Sequence, residues 1–329
     1  MKVIGFEAAN SFVKIKSERG EDAYLNTLRE RHDLGEDIFG EESAPKEFFK
    51  YNDIIYTKGD TRNMQSSSAR DSDRYATEEF KIESLIAIAQ HVDNGDQVKV
   101  ITGLPAKDYK NQKTHDTIAR QLLGQNTVWV GKEPRTFEVM EVRTILQPLG
   151  TYTFLLMNED GSLKEQGLKL SRQNKVIIDI GFGTTDVAIL EGGEMVDHFG
   201  IGVSMFDVYD RMLTKLGLKN SLSHLQMERL VRQAEKEKKP LVIEYGGREY
   251  EAEDIKKESM RIVAGRIITG LKNRVSLDSY DAAIFAGGGV LALYDHLKVL
   301  LEEIPNAVPV KHPQMSNARG FYIYGKYKK

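Results

Sequence analysis

The sequence contains no cysteine, which excludes disulfide bonds, thiolate metal sites and cysteine nucleophiles. It also has no apolar run approaching the roughly 18–20 residues that a membrane-spanning helix needs. The N-terminal residues enter a strand-like pattern directly, without the charged, apolar and small-residue regions of a signal peptide. We therefore expect a cytoplasmic protein with no direct membrane partner.

An excess of either charge is also missing. The 46 lysines and arginines nearly balance the 49 aspartates and glutamates, so the net charge of −3 does not favour binding to nucleic acid through a broad basic face. The seven histidines lack the spacing of a metal site. The G-x-x-x-x-G-K-S/T pattern is absent, and so is a G-x-G-x-x-G pattern followed by an acid. Neither a P-loop nor a dinucleotide-binding turn is therefore predicted.

The chain is long enough for two α/β domains. Its 329 residues are about 40% hydrophobic, which suffices for packed cores. Each half opens with two short strands around a small polar turn. Pro148 and Gly150 interrupt the pattern before the second of these hairpins begins. We therefore predict a first domain over residues 1–150 and a second over 151–315.

Hydrophobic periodicity predicts strands and helices along both halves. A polar, serine-rich stretch over Thr61–Asp73 is predicted to be a loop. The predicted strands are Val3–Phe6, Phe12–Lys16, Asp53–Thr57, Val98–Thr102, Phe137–Ile145, Val176–Ile180, Asp186–Leu190, Leu241–Tyr245, Glu249–Glu251 and Ala282–Ala286. The predicted helices are Ala76–Gln90, Lys113–Leu123, Phe206–Leu216, Leu222–Lys236, Asp254–Leu271 and Leu291–Leu300.

The segment that points most specifically to chemistry is Val176–Val187, where an apolar strand leads into an acid, glycines and threonines. The glycines lack a Cβ atom, so the backbone can turn tightly and bring amide groups close to an anion. Asp179 at the strand end can hold a divalent cation that offsets phosphate charge. The pattern predicts a phosphate-binding turn, and an ordinary hairpin is the alternative. The small residues of the turn are Gly181, Gly183, Thr184 and Thr185.

A weaker counterpart follows the first strand of the chain. Glu7 holds the place that Asp179 holds in the second half. Asn10, Ser11 and the turn amides can hold another face of the phosphates, and Lys14 supplies a point positive charge. Without its partner in the second half, this segment would equally suit a plain hairpin.

A third segment joins a strand to a helix through glycines. The strand Ala282–Ala286 runs into Gly287, Gly288 and Gly289 before helical periodicity resumes. Such a junction lets the backbone approach a flat ligand, or a phosphate at the helix N-terminus. A flexible connection between the two elements is the alternative.

These three segments, in this order, resemble the first phosphate loop, the second phosphate loop and the adenosine loop of the actin superfamily. That superfamily includes actin, the heat-shock chaperone ATPases and sugar kinases. Four further segments resemble more specifically the ParM-like plasmid-segregation proteins, which are bacterial actin-like ATPases. The resemblance extends over nearly the whole chain. The four segments are Arg74-Tyr75, Thr102–Pro105, Gln147–Gly150 and Asn317–Phe321.

The resemblance implies the actin-like ATPase fold, an α/β fold in which two related, ribonuclease H-like domains flank a cleft that holds ATP or GTP with Mg²⁺. It implies that residues 316–329 pack back on the first domain. Glu7 and Asp179 would organise the metal through water, and Gln147, on the linker between domains, would orient the attacking water. For Glu235 and Lys238, a solvated run of charges is the alternative. The implied nucleotide-binding residues are Asn10, Ser11, Lys14, Gly181, Gly183, Thr184, Thr185, Glu235, Lys238, Gly287 and Gly288.

The first turn departs from the family pattern at two positions. The family usually has aspartate where this chain has Glu7, and glycine where it has Ala9. The longer acid shifts a metal by about one methylene group, and the alanine narrows the room for a phosphate. These departures bear on the rate of hydrolysis more than on nucleotide binding.

The resemblance implies an ATPase of the bacterial cytoplasm that polymerises head to tail when it binds nucleotide. Such a filament would segregate plasmid DNA through an adaptor protein bound to a centromere-like site. Two alternatives remain. One is a sugar-type kinase of the same fold, for which Asp108 is the available base. The other is a nucleotide-dependent scaffold with little hydrolysis.

Overall fold

The computed structural model describes residues 1–31, 48–58, 72–302, 304 and 306–327. They form two compact units. The first contains the described residues up to Lys164 and from Asn317 onward, and the second contains those of Glu165–Ser316. The predicted loop over Thr61–Asp73 lies outside the described residues up to position 71, and its end belongs to a 3-10 helix, Ser72–Ala76.

Strands form two larger sheets and one separate hairpin in the described parts of the chain. Their bounds agree with the predicted strands to within a few residues, and several strands were not predicted. The strands are β1 (Lys2–Ala8), β2 (Phe12–Ser17), β3 (Gly20–Leu25), β4 (Leu28–Arg31), β5 (Phe49–Tyr51), β6 (Ile54–Lys58), β7 (Asp96–Leu104), β8 (Gly124–Val130), β9 (Glu133–Leu146), β10 (Lys175–Ile180), β11 (Thr185–Glu191), β12 (Glu194–Ile201), β13 (Val242–Tyr245), β14 (Arg248–Glu251), β15 (Ala282–Ala286) and β16 (Ala307–Pro309).

Helices connect the strands. One predicted helix, Leu291–Leu300, is wrong in detail, because it is divided at Leu293, whose backbone leaves the helical conformation while its side chain enters the core. The helices are α1 (Glu78–Ala89), α2 (Gln112–Leu122), α3 (Gln147–Leu156), α4 (Glu165–Arg172), α5 (Met205–Leu216), α6 (His224–Glu237), α7 (Glu253–Lys272), α8 (Gly288–Ala292), α9 (Tyr294–Glu302) and α10 (Ser316–Tyr327).

The two larger sheets share a topology of five strands. The sheet of the first unit contains the order β3-β2-β1-β7-β9, and that of the second has the order β12-β11-β10-β15-β16. In each, three antiparallel strands form a meander, the first strand of the meander pairs in parallel with a fourth strand, and the fourth pairs in parallel with a fifth. This repeat confirms the prediction of two related α/β domains.

The central strand of the second unit shows why this sequence forms a sheet interior. All six residues of β10 are buried, and its β-branched Val176, Ile177, Ile178 and Ile180 cover both faces. A continuous apolar run is typical of a strand buried on both sides. Each such side chain contributes about 1.5–3 kcal/mol when it is buried. The end of β10, where Asp179 lies, is therefore held firmly.

The first unit continues past the predicted domain change at residue 150. Pro148 is the second residue of α3, which packs against β7 and β9 of the first unit. Proline is tolerated in the first turn of a helix, because the amide groups there have no partner within the helix. The change of unit comes only after Lys164, and the chain returns to the first unit at Asn317.

Within the described residues, every helix is too short or too polar to cross a membrane.

Candidate functional site

The turns of the two first hairpins occupy the same position in the repeated topology. Glu7 is the last residue but one of β1 and pairs with Lys14 of β2. Asp179 is the last residue but one of β10 and pairs with Asp186 of β11. Both pairs enclose the same length of chain. Since strand register fixes which side chains lie beside one another, Glu7 and Asp179 are structural equivalents.

The two equivalent pairs differ in charge. In the first unit, the Lys14 Nζ atom lies 3.1 Å from the Glu7 Oε2 atom, and both side chains are buried. In the second, the corresponding Asp179 and Asp186 side chains are both acidic and buried. Lys14 therefore offsets Glu7, and the excess of carboxyl groups lies in the second unit.

The first turn is held by neighbouring polar side chains. Arg74 donates hydrogen bonds to the Asn10 Oδ1 atom and to a backbone carbonyl just before the turn. The Asn26 side chain donates to the Ala9 carbonyl at 2.8 Å, and its backbone amide donates to the carbonyl of the buried Ser11 at 2.8 Å. These bonds fix the conformation of the turn before any ligand binds.

Glu83 of α1 interacts with both side chains that hold the first turn, Arg74 and Asn26. Burial raises the pKa of its carboxyl group to about 7, while the charge of Arg74 and a hydrogen bond from Asn26 oppose that rise and the charge of Glu79 adds to it. The two residues that hold the first turn therefore both interact with an acid that titrates near neutrality.

Replacing Glu83 with glutamine is expected to stabilise the first unit at high pH. The folded chain binds the Glu83 proton more tightly than the unfolded chain, so stability falls as pH rises from about 4.5 to about 7. Above that window the wild type is destabilised by about 1–3 kcal/mol relative to Glu83→Gln, and below it the two are alike. Urea unfolding followed by Trp129 fluorescence, at pH 4.5 and pH 8, measures this difference. The exposed Glu138→Gln on β9 of the same unit is the control, and an equal pH dependence in wild type and Glu83→Gln would contradict the prediction.

The second turn is closed by its own hydrogen bonds. The Gly181 amide donates to the Thr184 carbonyl at 2.9 Å. The Thr184 hydroxyl donates to the Asp186 Oδ2 atom at 2.6 Å, and the Thr185 hydroxyl donates to the Val203 carbonyl at 2.7 Å. A hydroxyl group has a single proton. Thr184 and Thr185 are both predicted to hold a phosphate. Each hydroxyl must therefore break its present hydrogen bond before it can donate to a phosphate oxygen. Gly183, the remaining predicted residue of this turn, is buried.

The glycine junction after β15 packs against the end of β10. Gly287 has a φ of +86°, and a Cβ atom there would collide with the Asp179 Oδ1 atom and the Ile180 carbonyl. Gly288 is open by comparison, since the nearest atoms to a Cβ would be the Arg232 Nη2 atom at 3.8 Å and the Gln314 Cγ atom at 3.9 Å. The second turn and the glycine junction thus lie against each other in one unit.

Helix α6 reaches this junction through Arg232. The Arg232 guanidinium is held by the buried Glu228, at 2.9 Å from its Oε1 atom. Glu235 lies one turn later and is solvent-accessible, although desolvation raises its pKa against the charges of Lys256 and Arg232. Lys238 ends the helix with a φ of +54° and is exposed. The prediction that Glu235 and Lys238 contact a nucleotide remains untested.

Gln147 lies at the start of a helix rather than on a linker. It is the first residue of α3, directly after β9, and is partly buried. A Cβ atom on Gly103, at the end of the neighbouring strand β7, would lie 2.7 Å from the Gln147 Cγ atom. Since β7 and β9 are parallel, both residues lie at the edge of the sheet where β1 also ends.

The acidic residues suit Mg²⁺ only in part. Among the described residues there is no group of three or more His, Asp or Glu side chains that could hold a metal ion. Mg²⁺ usually keeps several waters and binds through one or two carboxylates together with phosphate oxygens. Asp179 and Asp186 meet that requirement, so the site fits a metal that arrives with a nucleotide rather than one held by protein groups alone.

Two family models match successive parts of the chain. The N-terminal domain of actin-like proteins matches residues 10–150, and the C-terminal part of the archaeal actin homologue, MreB-like, matches residues 177–299. The chain belongs to the actin-like proteins. The first match begins at Asn10, within the turn that follows Glu7, and the second contains the whole turn that follows Asp179.

Solved structures show that this actin-like chain has the actin-like fold over almost its full length. A non-polymerisable quadruple mutant of pCBH ParM is 19% identical, with a TM-score of 0.78 and 99% of each chain covered. A ParM in a 15-stranded filament from Clostridium botulinum is 19% identical, with a TM-score of 0.77 and 99% of each chain covered. The archaeal actin homologue Ta0583 in complex with ADP is 18% identical, with a TM-score of 0.73 and 98% of each chain covered. No curated protein sequence matches the chain.

Four residues around the turns of this actin-like protein were missed as candidates from its sequence. A register count could have found Asp186, because it lies opposite Asp179 if the hairpin is placed correctly. Helical spacing from Glu235 could have found Arg232. Asn26 and Glu83 have no comparable signal, because they reach the first turn only through the tertiary fold.

Proposed function

We propose that this actin-like chain binds ATP or GTP with Mg²⁺, hydrolyses it, and assembles into filaments under the control of the nucleotide. The observation that carries the proposal is the repeated topology, in which Glu7 and Asp179 occupy equivalent positions before small polar turns. Turns of this kind present backbone amides to phosphate oxygens. Two of them, together with the glycine junction at Gly287 and Gly288, suit a nucleotide better than a single phosphate.

In this proposal the residues have separate tasks. Asp179, helped by Asp186, binds Mg²⁺ directly or through its waters, and Glu7 contributes from the first turn. The metal supplies positive charge that offsets the phosphates. The turn residues Gly181, Gly183, Thr184 and Thr185 hold the phosphates with Asn10, Ser11 and Lys14, and Gln147 orients the attacking water.

The proposal of assembly is supported by the fold shared with a ParM that forms a 15-stranded filament. Contacts that repeat head to tail without closing a ring generate a helical filament. In the bacterial cytoplasm, growth and disassembly of such a filament would move plasmid DNA through an adaptor protein at a centromere-like site. Nucleotide binding supports growth in this scheme, and hydrolysis supports disassembly.

Replacing Gln147 with alanine is expected to separate binding from hydrolysis. A residue that orients the nucleophile contributes about 10²–10⁴-fold to the rate, so phosphate release should fall by about a hundredfold or more. ATP affinity should stay within about threefold, which is less than ~0.7 kcal/mol. Filaments seen by electron microscopy and pelleting should form with Mg-ATP and persist longer than those of the wild type.

Gln125→Ala, at an exposed position on β8, is the matched control and should behave as the wild type. A wild-type chain that stays monomeric at high concentration with saturating Mg-ATP would overturn the proposal of assembly. Equal phosphate release by wild type and Gln147→Ala would overturn the proposed role of Gln147.

A second candidate function is a scaffold that binds nucleotide but hydrolyses it slowly. The ion pair between Lys14 and Glu7 favours it, because a Glu7 held by lysine is less available to a metal. Slow steady-state phosphate release together with Mg-ATP-dependent assembly would identify it. Asp108 gives no comparable support for a kinase, since it is buried and its Oδ1 atom accepts a hydrogen bond from Ser72 at 2.6 Å.

A further inference from the structure

The last helix of the chain is fastened to the turn of α3 that carries Gln147. The Asn317 Oδ1 atom accepts hydrogen bonds from the Thr151 backbone amide at 3.2 Å and from its hydroxyl at 2.8 Å. One turn further along α10, Gly320 packs directly on the Gly150 backbone, with no room for a Cβ atom between them. Two contacts thus fix the first turn of α3 onto α10.

The Phe321 ring of α10 makes a third contact with the start of α3. It is fully buried and packs with Ile101 of β7 and Ile145 of β9. A Cβ atom on Gly150 would lie 2.5 Å from its Cε1 atom, and one on Gly103 would lie 2.5 Å from its Cζ atom. The ring therefore fills the space where β7 ends and α3 begins.

Next to Gly103, the Phe321 ring lies beside the aliphatic part of the Gln147 side chain. The same hypothetical Cβ atom on Gly103 that meets Phe321 would lie 2.7 Å from the Gln147 Cγ atom. The Phe321 ring and the Gln147 Cγ atom thus both lie where a side chain at position 103 would have to be. Interiors are close-packed, so a change in the volume of Phe321 cannot leave its neighbours in place.

The same helix also contacts the strand that carries Glu7. Gly5 of β1 has no room for a Cβ atom, because the Ala318 carbonyl and the Tyr322 backbone approach it closely. Gly5 precedes Glu7 by two residues on the same strand. Helix α10 therefore touches both elements of the first unit that carry predicted catalytic residues.

We propose that α10 sets the position of Gln147 through the Phe321 ring, so that the C-terminal helix regulates hydrolysis. Phe321 is then a positioning residue, since it reaches the reaction only through Gln147. The inference rests on the proposed function of Gln147 in ATP hydrolysis. Displacements of about 1 Å at a catalytic group can lower a rate a hundredfold, so a small shift of α10 suffices.

The test is a double-mutant cycle between Phe321 and Gln147. Phe321→Leu is expected to lower kcat for ATP hydrolysis about tenfold and to leave the ATP dissociation constant within about twofold. In a Gln147→Ala background, the same substitution should change kcat less than about twofold, because the group through which it acts is gone. Phe321→Met, whose unbranched side chain has nearly the volume of leucine but reaches further toward Gly103, should restore part of the rate. Ile86→Val, a buried change on α1 in the same unit, is the control for general loss of packing.

A second readout does not depend on hydrolysis. With ¹⁵N-glutamine labelling, the side-chain amide signal of Gln147, identified by its loss in Gln147→Ala, should shift or broaden in Phe321→Leu but not in Ile86→Val. Fully additive effects on kcat, or an unchanged Gln147 signal, would overturn the inference. If the wild type releases no phosphate, the proposed hydrolysis fails, and the Gln147 signal alone then decides whether Phe321 positions it.

Discussion

Replacing Gly320 with alanine is expected to lower the free energy of unfolding of the first unit by about 3 kcal/mol or more. The Cβ atom would fall on the Gly150 carbonyl and its Cα atom, so the backbones of α10 and α3 would have to move apart. Side-chain rearrangement cannot relieve a clash between two backbones. Domains of this kind are stable by only about 5–15 kcal/mol, so the loss is a large fraction of the total. Urea unfolding followed by the fluorescence of Trp129, the single tryptophan of the chain, reports on the first unit.

Gly265→Ala is the matched control for this prediction. Gly265 also lies inside a helix, α7 of the second unit, but a Cβ atom there would meet nothing within 4 Å. Because Trp129 reports on the first unit, the unfolding of this variant is followed by circular dichroism. Alanine exceeds glycine in helix propensity by about 0.8–1 kcal/mol, so this variant should be neutral or more stable. Equal stability of Gly320→Ala and wild type would show that α10 and α3 do not depend on the close approach of their backbones.

The sequence predicted the hairpins around both turns because they rest on local signals. Val176–Ile180 and Asp186–Leu190 are apolar runs on either side of glycines, and β10 and β11 follow them closely. The resemblance to actin-like proteins then supplied the fold, which the family models and solved structures confirm. The hydrophobic pattern and the family motif predicted the same hairpin here, because both describe the short turn between β10 and β11.

Elements that depend on pairing rather than pattern were not predicted. Strand β3 has the sequence Gly20–Leu25, with two acids and an exposed middle, and its conformation comes from pairing with β2. Helix α3 was missed because Pro148 suggested a break, whereas proline at the second helical position is compatible with the first turn. Hydrophobic periodicity alone shows neither which strand β3 pairs with nor that Pro148 begins a helix rather than ending one.

The candidate site shows the same division. Glu7 and Asp179 were placed correctly relative to their turns, because strand register follows from the length of each hairpin. The ion pair between Glu7 and Lys14 could not be assigned from sequence, since the prediction directed Lys14 toward a phosphate. A buried charged side chain needs an oppositely charged or hydrogen-bonding partner, and only the folded structure shows which partner lies within reach.

Replacing Gly287 with alanine is expected to weaken ATP binding by about a hundredfold, which corresponds to ~2.7 kcal/mol. The new Cβ atom would displace the Asp179 carboxylate and the Ile180 carbonyl, and so move the acid that the proposed function assigns to Mg²⁺. A residue other than glycine at a φ of +86° adds a strain of about 1–3 kcal/mol. Calorimetric titration with ATP, with and without Mg²⁺, measures the loss. The difference between the two titrations should shrink in the variant, because the metal loses its carboxylate.

Gly217→Ala separates displacement of Asp179 from backbone strain. Gly217 ends α5 in the same unit with a φ of +70°, but a Cβ atom there would meet nothing within 4 Å. It should therefore show comparable backbone strain and keep the affinity of the wild type for ATP. If both variants lose affinity equally, the loss comes from general destabilisation of the second unit rather than from Asp179. If Gly287→Ala alone loses affinity but keeps its full dependence on Mg²⁺, the glycine junction contacts the nucleotide and Asp179 is not the metal ligand.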